Sequence, residues 1–442
     1  MPKVLPRIDV RQRPDVASLG QERTARPAAS LAMEIEERRV DIDQLAPGMY
    51  VSRLDRPWAE TDFPLQGFRI DSPADIQRLG KLCRHVYIDV HKSVRADAVT
   101  PLQRLGYESV RHRGQTLPPP LSYADTVPLA EELPAARRAF EDAHALAAGF
   151  VADVRAGRRL SPAALNAAIE PIVASVVRNA DAFHWLNALR KRDAYSYSHA
   201  VNCCALAASF GRHLGFPREM LVDLASAGML MDIGKAALPQ EMLSRPGPLA
   251  AIEWPLVESH VSAGLRMLGE SGIDQPEIVA MIRAHHERHD GSGYPSQLSG
   301  SLIPLPGRML GLVDTFDALC SERPHQPAMS RHDALQWLYR QRDRLFQAEL
   351  IEQFSQSLGV YPTGTLVQLS TGEVAMVMAQ NPSRRLYPRV TVLTQPDKSL
   401  DPAFRQVDLW LLANTQAGNA RVIIERALPP GAHGLNVSEL YL

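Results

Sequence analysis

The chain has 442 residues, 45% of them hydrophobic, which is enough for two or three domains that each bury a core. Its 48 basic and 49 acidic residues give a formal net charge of -1, so the charge balance predicts no nucleic acid partner. No run of about 18 apolar residues occurs, and therefore no membrane partner is predicted either.

Cysteine usage indicates the redox compartment. The four cysteines are Cys83, Cys203, Cys204 and Cys320, and no two of them form a CxxC pair. This spacing favours free thiols in a reducing compartment over a disulfide framework. Because the N-terminal sequence also lacks the apolar core of a signal peptide, we predict a cytoplasmic protein.

The N-terminal part predicts a disordered lead followed by a small α+β domain. Residues 1–34 contain arginine, proline and alanine with little apolar periodicity, which is typical of disorder. The α+β domain is predicted over residues 35–92, with strands at residues 40–42, 49–54, 68–70 and 86–90. Its helix is expected to begin at Pro73, because Ser72 suits the N-cap and proline suits the first turn.

The middle of the chain predicts a linker and then a helical domain. Residues 93–127 carry charges and three consecutive prolines, which favours an extended linker. A mainly α-helical domain is predicted over residues 128–360, with its first helices beginning near Pro128 and Ser161. These two helices are expected to pack against each other, and they would also suit signal transmission or a homodimer.

The C-terminal part, residues 361–442, predicts a β-rich appendage. Strands are expected at residues 365–369, 374–378, 389–393, 407–411 and 422–424, with a hairpin turn at residues 370–373. The appendage is expected to pack over the helical domain. The predicted fold class is therefore mainly α, with a small α+β domain before it and β structure after it.

The segment richest in potential metal ligands reads AHHERHDGSGYP, at residues 284–295. The adjacent imidazoles of His285 and His286 are costly to bury unless something uses their lone pairs, and neutral imidazole is the commonest protein ligand for a transition metal. The two glycines allow a positive φ or a close backbone approach, and the final proline prevents the helix from resuming. The alternative is a solvated helix end followed by a turn.

Polar side chains that could complete a site occur in four other apolar segments. They are His199, Asp232 with Lys235, His260 and Asp314. Gly234 is the predicted terminator of the apolar helix that precedes Asp232. Taken singly, each of these residues fits a satisfied polar group of a core better than a ligand.

The order of these residues resembles the HD-GYP family, a branch of the metal-dependent HD phosphohydrolases. The resemblance covers roughly residues 180–350 and includes the DGxGYP signature at residues 290–295. It implies an all-helical fold, iron or manganese as cofactor, and hydrolysis of the bacterial second messenger cyclic di-GMP by a metal-activated hydroxide. The N-terminal α+β unit resembles the domain of unknown function that often precedes HD-GYP modules.

The resemblance also implies roles for individual residues. Six would be metal ligands: His199, Asp232, His260, His285, His286 and Asp314. Asp232 would bridge two ions, the three later histidines would complete one ion, and His199 and Asp314 would hold the other. Asp232 and Lys235 would act in catalysis. Lys235, Tyr294 and Arg323 would contact the substrate.

Three positions depart from the family pattern. Met231 replaces the histidine of the name-giving His-Asp pair, and a thioether is a poor ligand for a hard divalent ion. Tyr195 stands where some members carry a glutamate for a third metal, so one or two ions are expected. The phosphate-binding turn reads RPHQ at residues 323–326, which keeps only the first of its two cations.

Two functions therefore remain open. The first is a cyclic di-GMP phosphodiesterase, impaired by the loss of the HD histidine. The second is a catalytically degenerate module that binds nucleotide or a signalling partner, such as a GGDEF-domain protein at the GYP loop, residues 293–295. The complete set of Asp232, His260, His285 and His286 argues against general decay of the site.

Overall fold

The computed structural model describes residues 37–56, 67–70, 72–89, 101–189, 195–245, 247, 250–322, 327–381, 384–415 and 422–435. The predicted disordered lead, residues 1–34, lies outside these ranges. The chain divides into two compact units, residues 1–98 and residues 99–442. Within the described ranges, no helix combines the length and the apolar character needed to cross a membrane.

The first unit is a four-stranded antiparallel sheet with one helix. Its elements are β1 (Glu37–Asp41), β2 (Tyr50–Leu54), β3 (Phe68–Arg69), α1 (Pro73–Leu82) and β4 (His85–Asp89). The sheet order is β1-β4-β2-β3. α1 begins where predicted, and the backbone N–H of Ser72 donates to the Asp75 carboxylate at 3.0 Å. Leu79, Val51 and Val86 share the core, which confirms the predicted α+β fold.

The second unit is mainly helical. Its elements up to residue 358 are α2 (Pro101–Arg104), β5 (Arg111–His112), β6 (Gln115–Thr116), α3 (Leu129–Arg155), α4 (Pro162–Arg178), α5 (Ala182–Leu189), α6 (Tyr195–His213), α7 (Arg218–Leu230), α8 (Gln240–Ser244), α9 (Trp254–Glu258), α10 (His260–Glu270), α11 (Pro276–Ala284), α12 (Leu305–Cys320), α13 (Arg331–Arg340) and α14 (Ala348–Leu358). α3 and α4 begin as predicted, and the Ser161 side chain accepts the backbone N–H of Ala164 at the start of α4. One continuous core joins these helices to α6, α7 and α12.

The prediction of an extended linker over residues 93–127 is wrong for residues 101–117. α2 and the β5-β6 hairpin lie there, and they bury four side chains in the helical core: Leu105, Tyr107, Val110 and Leu117. The apolar residues of this segment are scattered among charged ones and follow neither a helical nor a strand period. Their burial therefore could not be predicted from the sequence, because it depends on contact with helices later in the chain. Residues 118–127 do lack helix and strand, as predicted.

The C-terminal strands form a five-stranded antiparallel sheet in the order β10-β9-β8-β7-β11. They are β7 (Leu366–Leu369), β8 (Val374–Ala379), β9 (Arg389–Val392), β10 (Gln406–Asp408) and β11 (Ile424–Leu428). Leu366 and Met376 join the helical core, whereas Val367 and Val377 face a separate cluster. The appendage therefore packs over the helices, as expected.

One predicted strand of the appendage is wrong in part. Residues 409–411 were expected to continue the strand that contains β10, but they begin α15 (Leu409–Thr415). The Asp408 carboxylate accepts the backbone N–H of Trp410 at 2.9 Å and that of Leu411 at 3.2 Å. An aspartate that satisfies the first N–H groups of a helix is a strong N-cap, and here it outweighs the β-propensity of Trp410.

Candidate metal centre

The candidate site lies where five segments of the second unit converge: α6, the turn after α7, the start of α10, the end of α11, and α12. Two glycines allow these segments to pack closely against one another. A Cβ built at Gly234 would overlap the carbonyl oxygen of His260, and one built at Gly311 would overlap that of His285. The predicted role of Gly234 as a helix terminator is therefore wrong, since a 3₁₀ helix, Ile233–Ala237, runs through it.

The first ligand group contains three histidines and one aspartate. One donor atom each from Asp232, His260, His285 and His286 lie within 4.8 Å of one another. Asp232 Oδ1 lies 3.3 Å from His260 Nε2 and 3.8 Å from His285 Nε2. Both of these imidazoles are fully buried.

The rings of this first group are held so that their lone pairs point into the site. Nδ1 of His260 lies 2.6 Å from the carbonyl oxygen of Val257, and Nδ1 of His285 lies 2.6 Å from that of Ile282. A carbonyl can only accept, so each Nδ1 carries the proton and each Nε2 keeps its lone pair. This is the arrangement by which backbone groups orient metal-binding histidines.

Four buried atoms of this group have no hydrogen-bond partner among the described residues. They are Asp232 Oδ1 and the Nε2 atoms of His260, His285 and His286. A buried polar atom that stays unpaired costs about 1–3 kcal/mol, so four in one place indicate that something else is bound by them. Nitrogen and carboxylate donors in this number suit a divalent transition metal.

The second ligand group shares Asp232 and adds His199 and Asp314. His199 Nε2 lies 3.1 Å from Asp314 Oδ1 and 3.7 Å from Asp232 Oδ2. Met231, which precedes Asp232, is buried in the apolar core of the unit. This group therefore offers three donors, against four in the first.

A residue that the sequence analysis missed orients His199. Asp317 Oδ2 lies 2.7 Å from His199 Nδ1, and Asp317 Oδ1 accepts from the side-chain amide of Asn202 at 3.1 Å. Asp317 follows Asp314 by three residues on α12, so both carboxylates lie on one face of the helix. The three-residue spacing between Asp314 and Asp317 is the feature of the sequence that could have indicated Asp317 as part of the site.

Electrostatics favours charged carboxylates and a neutral His286 here. Burial by itself raises the pKa of Asp232, but the nearby Lys235 ammonium outweighs burial and brings the pKa well below its usual range. For Asp314, burial is likewise outweighed by the His199 hydrogen bond, and the pKa is lowered to about 2. Burial, with the charges of its imidazole neighbours, lowers the pKa of His286 well below its usual value. Both effects favour cation binding.

The GYP loop folds back over this group. Gly291 has a φ of 79°, and a Cβ at Gly293 would overlap the carbonyl oxygen of His286. Gly291 thus provides the predicted positive φ, and Gly293 the predicted close backbone approach. The Tyr294 ring lies 4.6 Å from that of His286, with 31° between the planes, and only 9% of the residue is exposed.

A second missed residue, Glu287, holds this loop. Its buried carboxylate accepts the backbone N–H of Ser296 at 2.7 Å and that of Leu298 at 2.9 Å. Glu287 stands between His286 and Arg288 in the sequence, and nothing in that position indicated that its side chain would hold the loop. Arg323, predicted to contact the substrate, lies outside the described residues, as does the side chain of Tyr195.

Comparison with known proteins identifies the family. A model described as HD domain matches residues 184–350, and one described as Domain of unknown function (DUF3391) matches residues 37–165. A cyclic di-GMP phosphodiesterase of Pseudomonas aeruginosa is 32% identical over 388 residues, which cover 86% of this chain and 90% of that protein. The chain belongs to the HD-GYP family. Its N-terminal DUF3391 domain confirms the second resemblance.

Two further relatives match over less than half of this chain. A cyclic di-GMP phosphodiesterase response regulator of Xanthomonas campestris is 36% identical over 166 residues, 37% of this chain and 44% of that protein. The 3′3′-cGAMP-specific phosphodiesterase 2 of Vibrio cholerae is 31% identical over 171 residues, 38% of this chain and 33% of that protein. Membership of the HD-GYP family implies use of a divalent metal, and the unpaired donor atoms fit one.

The DUF3391 match is longer than the predicted α+β domain. It runs past residue 92, through the β5-β6 hairpin and α3, and ends early in α4. The match therefore crosses the division between the two compact units at residue 98.

Proposed function

We propose that this HD-GYP protein is a metal-dependent phosphodiesterase that hydrolyses cyclic di-GMP. The observation that carries the proposal is the set of four buried donor atoms without hydrogen-bond partners, on Asp232, His260, His285 and His286. Cyclic di-GMP is chosen over 3′3′-cGAMP because the relative that matches nearly the whole chain acts on cyclic di-GMP.

In this proposal the first ligand group holds a divalent ion. Its mixed nitrogen and oxygen donors suit iron, manganese or zinc, and the family resemblance favours iron or manganese. When bound, such an ion supplies Lewis acidity and lowers the pKa of water into the neutral range. His199 and Asp314 form the second, smaller group across the shared Asp232 carboxylate. Asp317 keeps the His199 ring oriented toward Asp314.

Lys235 and Tyr294 are assigned to the substrate. The Lys235 ammonium lies 2.5 Å from Asp232 Oδ2 and can neutralise a phosphate oxygen placed beside it. Tyr294 closes the site from the loop side and excludes water from the imidazoles. We retain Arg323 as a further phosphate contact, on the evidence of the sequence motif alone.

The reaction is hydrolysis of one phosphodiester bond. The oxygen of a water molecule bonds to phosphorus while the bond from phosphorus to a ribose oxygen breaks. One water proton ends on the departing ribose oxygen, and the other is released. No side chain of the protein needs to bond to phosphorus.

The alternative function depends on Met231 at the position of the HD histidine, and the relatives, which are named as phosphodiesterases, do not favour it. In that case the protein binds cyclic di-GMP without cleaving it. A GGDEF-domain partner at the GYP loop and a homodimer stay predictions. Since Tyr294 is largely buried against His286, such a partner would contact the backbone of the loop more than this ring.

The test uses the full chain, purified without oxygen and loaded with Mn²⁺ or Fe²⁺, with cyclic di-GMP as substrate and chromatography of the products. We expect hydrolysis by the unaltered protein and a loss of about 100-fold or more in His260→Ala, because a metal ligand is removed. The exposed His433 provides a matched control, His433→Asn, which should retain activity. Binding of cyclic di-GMP without hydrolysis by either metal form would establish the second function instead.

A further inference from the structure

The two oxygens of the Asp232 carboxylate face different neighbours. Oδ1 faces the imidazoles of His260 and His285, at 3.3 Å and 3.8 Å. Oδ2 lies 2.5 Å from the Lys235 ammonium and 3.7 Å from His199 Nε2. The oxygen that the second ligand group has to share is thus already in an ion pair with a cation.

The second group is also short of donors. It contributes His199 and Asp314 of its own. Met231 stands at the sequence position where the family resemblance expects a further histidine. The Asp317 carboxylate does not fill the gap, because it contacts Nδ1 of His199, on the far side of the ring from Asp314. A thioether on a buried methionine is a soft ligand that does not replace imidazole on iron or manganese.

Charge balance points the same way. Three carboxylates surround the site, those of Asp314 and Asp317, which are buried, and that of Asp232, which is 18% exposed. One divalent ion together with the Lys235 ammonium neutralises them, while neighbouring Glu287 and Arg288 carry opposite charges. A second divalent ion would add two positive charges, and the substrate phosphodiester supplies only one negative charge against them.

We propose that this chain binds a single divalent ion tightly, at Asp232, His260, His285 and His286, and that the ammonium of Lys235 takes the place of a second metal ion. This inference rests on the proposed function and makes it more specific. The substrate phosphate then lies between one metal ion and one ammonium. His199, Asp314 and Asp317 serve to shape and neutralise that side of the pocket.

The test measures metal content and spin coupling, and neither depends on turnover. The full chain is purified without oxygen, loaded with excess Mn²⁺ and desalted. Bound manganese is then counted by mass spectrometry, and electron paramagnetic resonance records the spectrum. We expect one equivalent and the six-line spectrum of an isolated Mn²⁺ ion.

Three variants sharpen the result. His286→Ala removes a ligand of the tight group and should lose most of the manganese. Asp314→Asn removes a carboxylate of the second group, leaves all four donors of the tight group in place, and should retain one equivalent, although Asp314 Oδ2 also lies 3.8 Å from His286 Nδ1. The double variant Met231→His with Lys235→Met supplies the missing imidazole, removes the competing cation, and should gain a second equivalent with an exchange-coupled spectrum.

Two results overturn the inference in distinguishable ways. Two tightly bound, exchange-coupled equivalents in the unaltered protein, falling to one in Asp314→Asn, would show a two-metal site and leave the proposed function intact. Failure of the unaltered protein to retain manganese or iron would contradict both this inference and the proposed metal-dependent hydrolysis.

Discussion

The carboxylate of Asp317 lies 2.7 Å from Nδ1 of His199, on the opposite side of the ring from Asp314. The carboxylate accepts the Nδ1 proton and thereby leaves Nε2 facing the site. Both residues are buried, so no water replaces this contact if it is removed.

Asp317→Ala should therefore lower phosphodiesterase activity by up to about 100-fold, because the His199 ring loses the contact that fixes it beside the substrate phosphate, and a small misplacement of such a group costs that much. Asp317→Asn keeps an oxygen acceptor for the Nδ1 proton and should restore a large part of the loss. Manganese content should stay at one equivalent in both variants. Equal losses in the two variants would mean that the negative charge, rather than the orientation of His199, is what matters.

Glu287→Gln should loosen the GYP loop. The carboxylate accepts two backbone N–H groups, from Ser296 and Leu298, and a glutamine side chain offers only one oxygen. We expect a cost of about 1.5–3 kcal/mol in stability, since a hydrogen bond to a charged group is lost, and faster amide exchange in residues 293–298.

The matched control for this change is Glu270→Gln, at the exposed end of α10. It should change neither amide exchange in the loop nor the kcat and KM for cyclic di-GMP. Unchanged exchange in Glu287→Gln would show that Tyr294 and its neighbours are held by other contacts.

Gly234→Ala should separate the turn that carries Asp232 from the start of α10. The added methyl group has no space, because the His260 carbonyl oxygen occupies the position of the new Cβ. Overpacking of a tight site costs about 1–3 kcal/mol, and here it also moves a ligand, so we expect a lower melting temperature and weaker manganese binding.

Gly269→Ala provides the control, since a Cβ at this position of α10 meets no atom within 4 Å. Alanine is favoured over glycine inside a helix by about 0.5–1 kcal/mol, so this variant should be as stable as the unaltered protein or more so. A Gly234→Ala variant with unchanged manganese affinity would contradict the close packing of these two segments.

Glu132→Gln should reveal a pH-dependent contribution to stability. Arg178 donates from Nε and from a terminal nitrogen to the two oxygens of Glu132, each at 2.7 Å, and the Glu132 side chain is only 3% exposed. Although burial raises the pKa of Glu132, the hydrogen bonds from Arg178 lower it overall.

A carboxyl with a lowered folded-state pKa stabilises the fold above its unfolded pKa, about 4.3, and this contribution disappears as the pH falls through the folded value. We expect the variant to be about 1–3 kcal/mol less stable at pH 7. The difference in melting temperature should shrink as the pH is lowered from 5 toward 3. A difference that is independent of pH would show that packing, and not the ion pair, is responsible.

Sequence alone was sufficient for the features that depend on local chemistry. Ser72 and Ser161 marked helix starts, because a serine followed by proline suits the N-cap and the first turn wherever the helix packs. The hairpin at residues 370–373 followed from its turn residues. The potential ligands could also be identified from the sequence, because histidines and aspartates in apolar segments are unusual.

Long-range contacts decided the rest. Asp317 and Glu287 acquire their roles only when α6 and the loop after residue 291 fold against them. The spacing from Asp314 indicates which face of α12 carries Asp317, but it does not indicate that His199 packs against that face. The apolar side chains of residues 101–117 are likewise buried only through contact with helices that come later in the chain. The sequence determined which donor atoms the protein carries. The tertiary structure decided which oxygen of Asp232 faces the imidazoles and which faces Lys235, because that division depends on how closely α10 packs against Gly234.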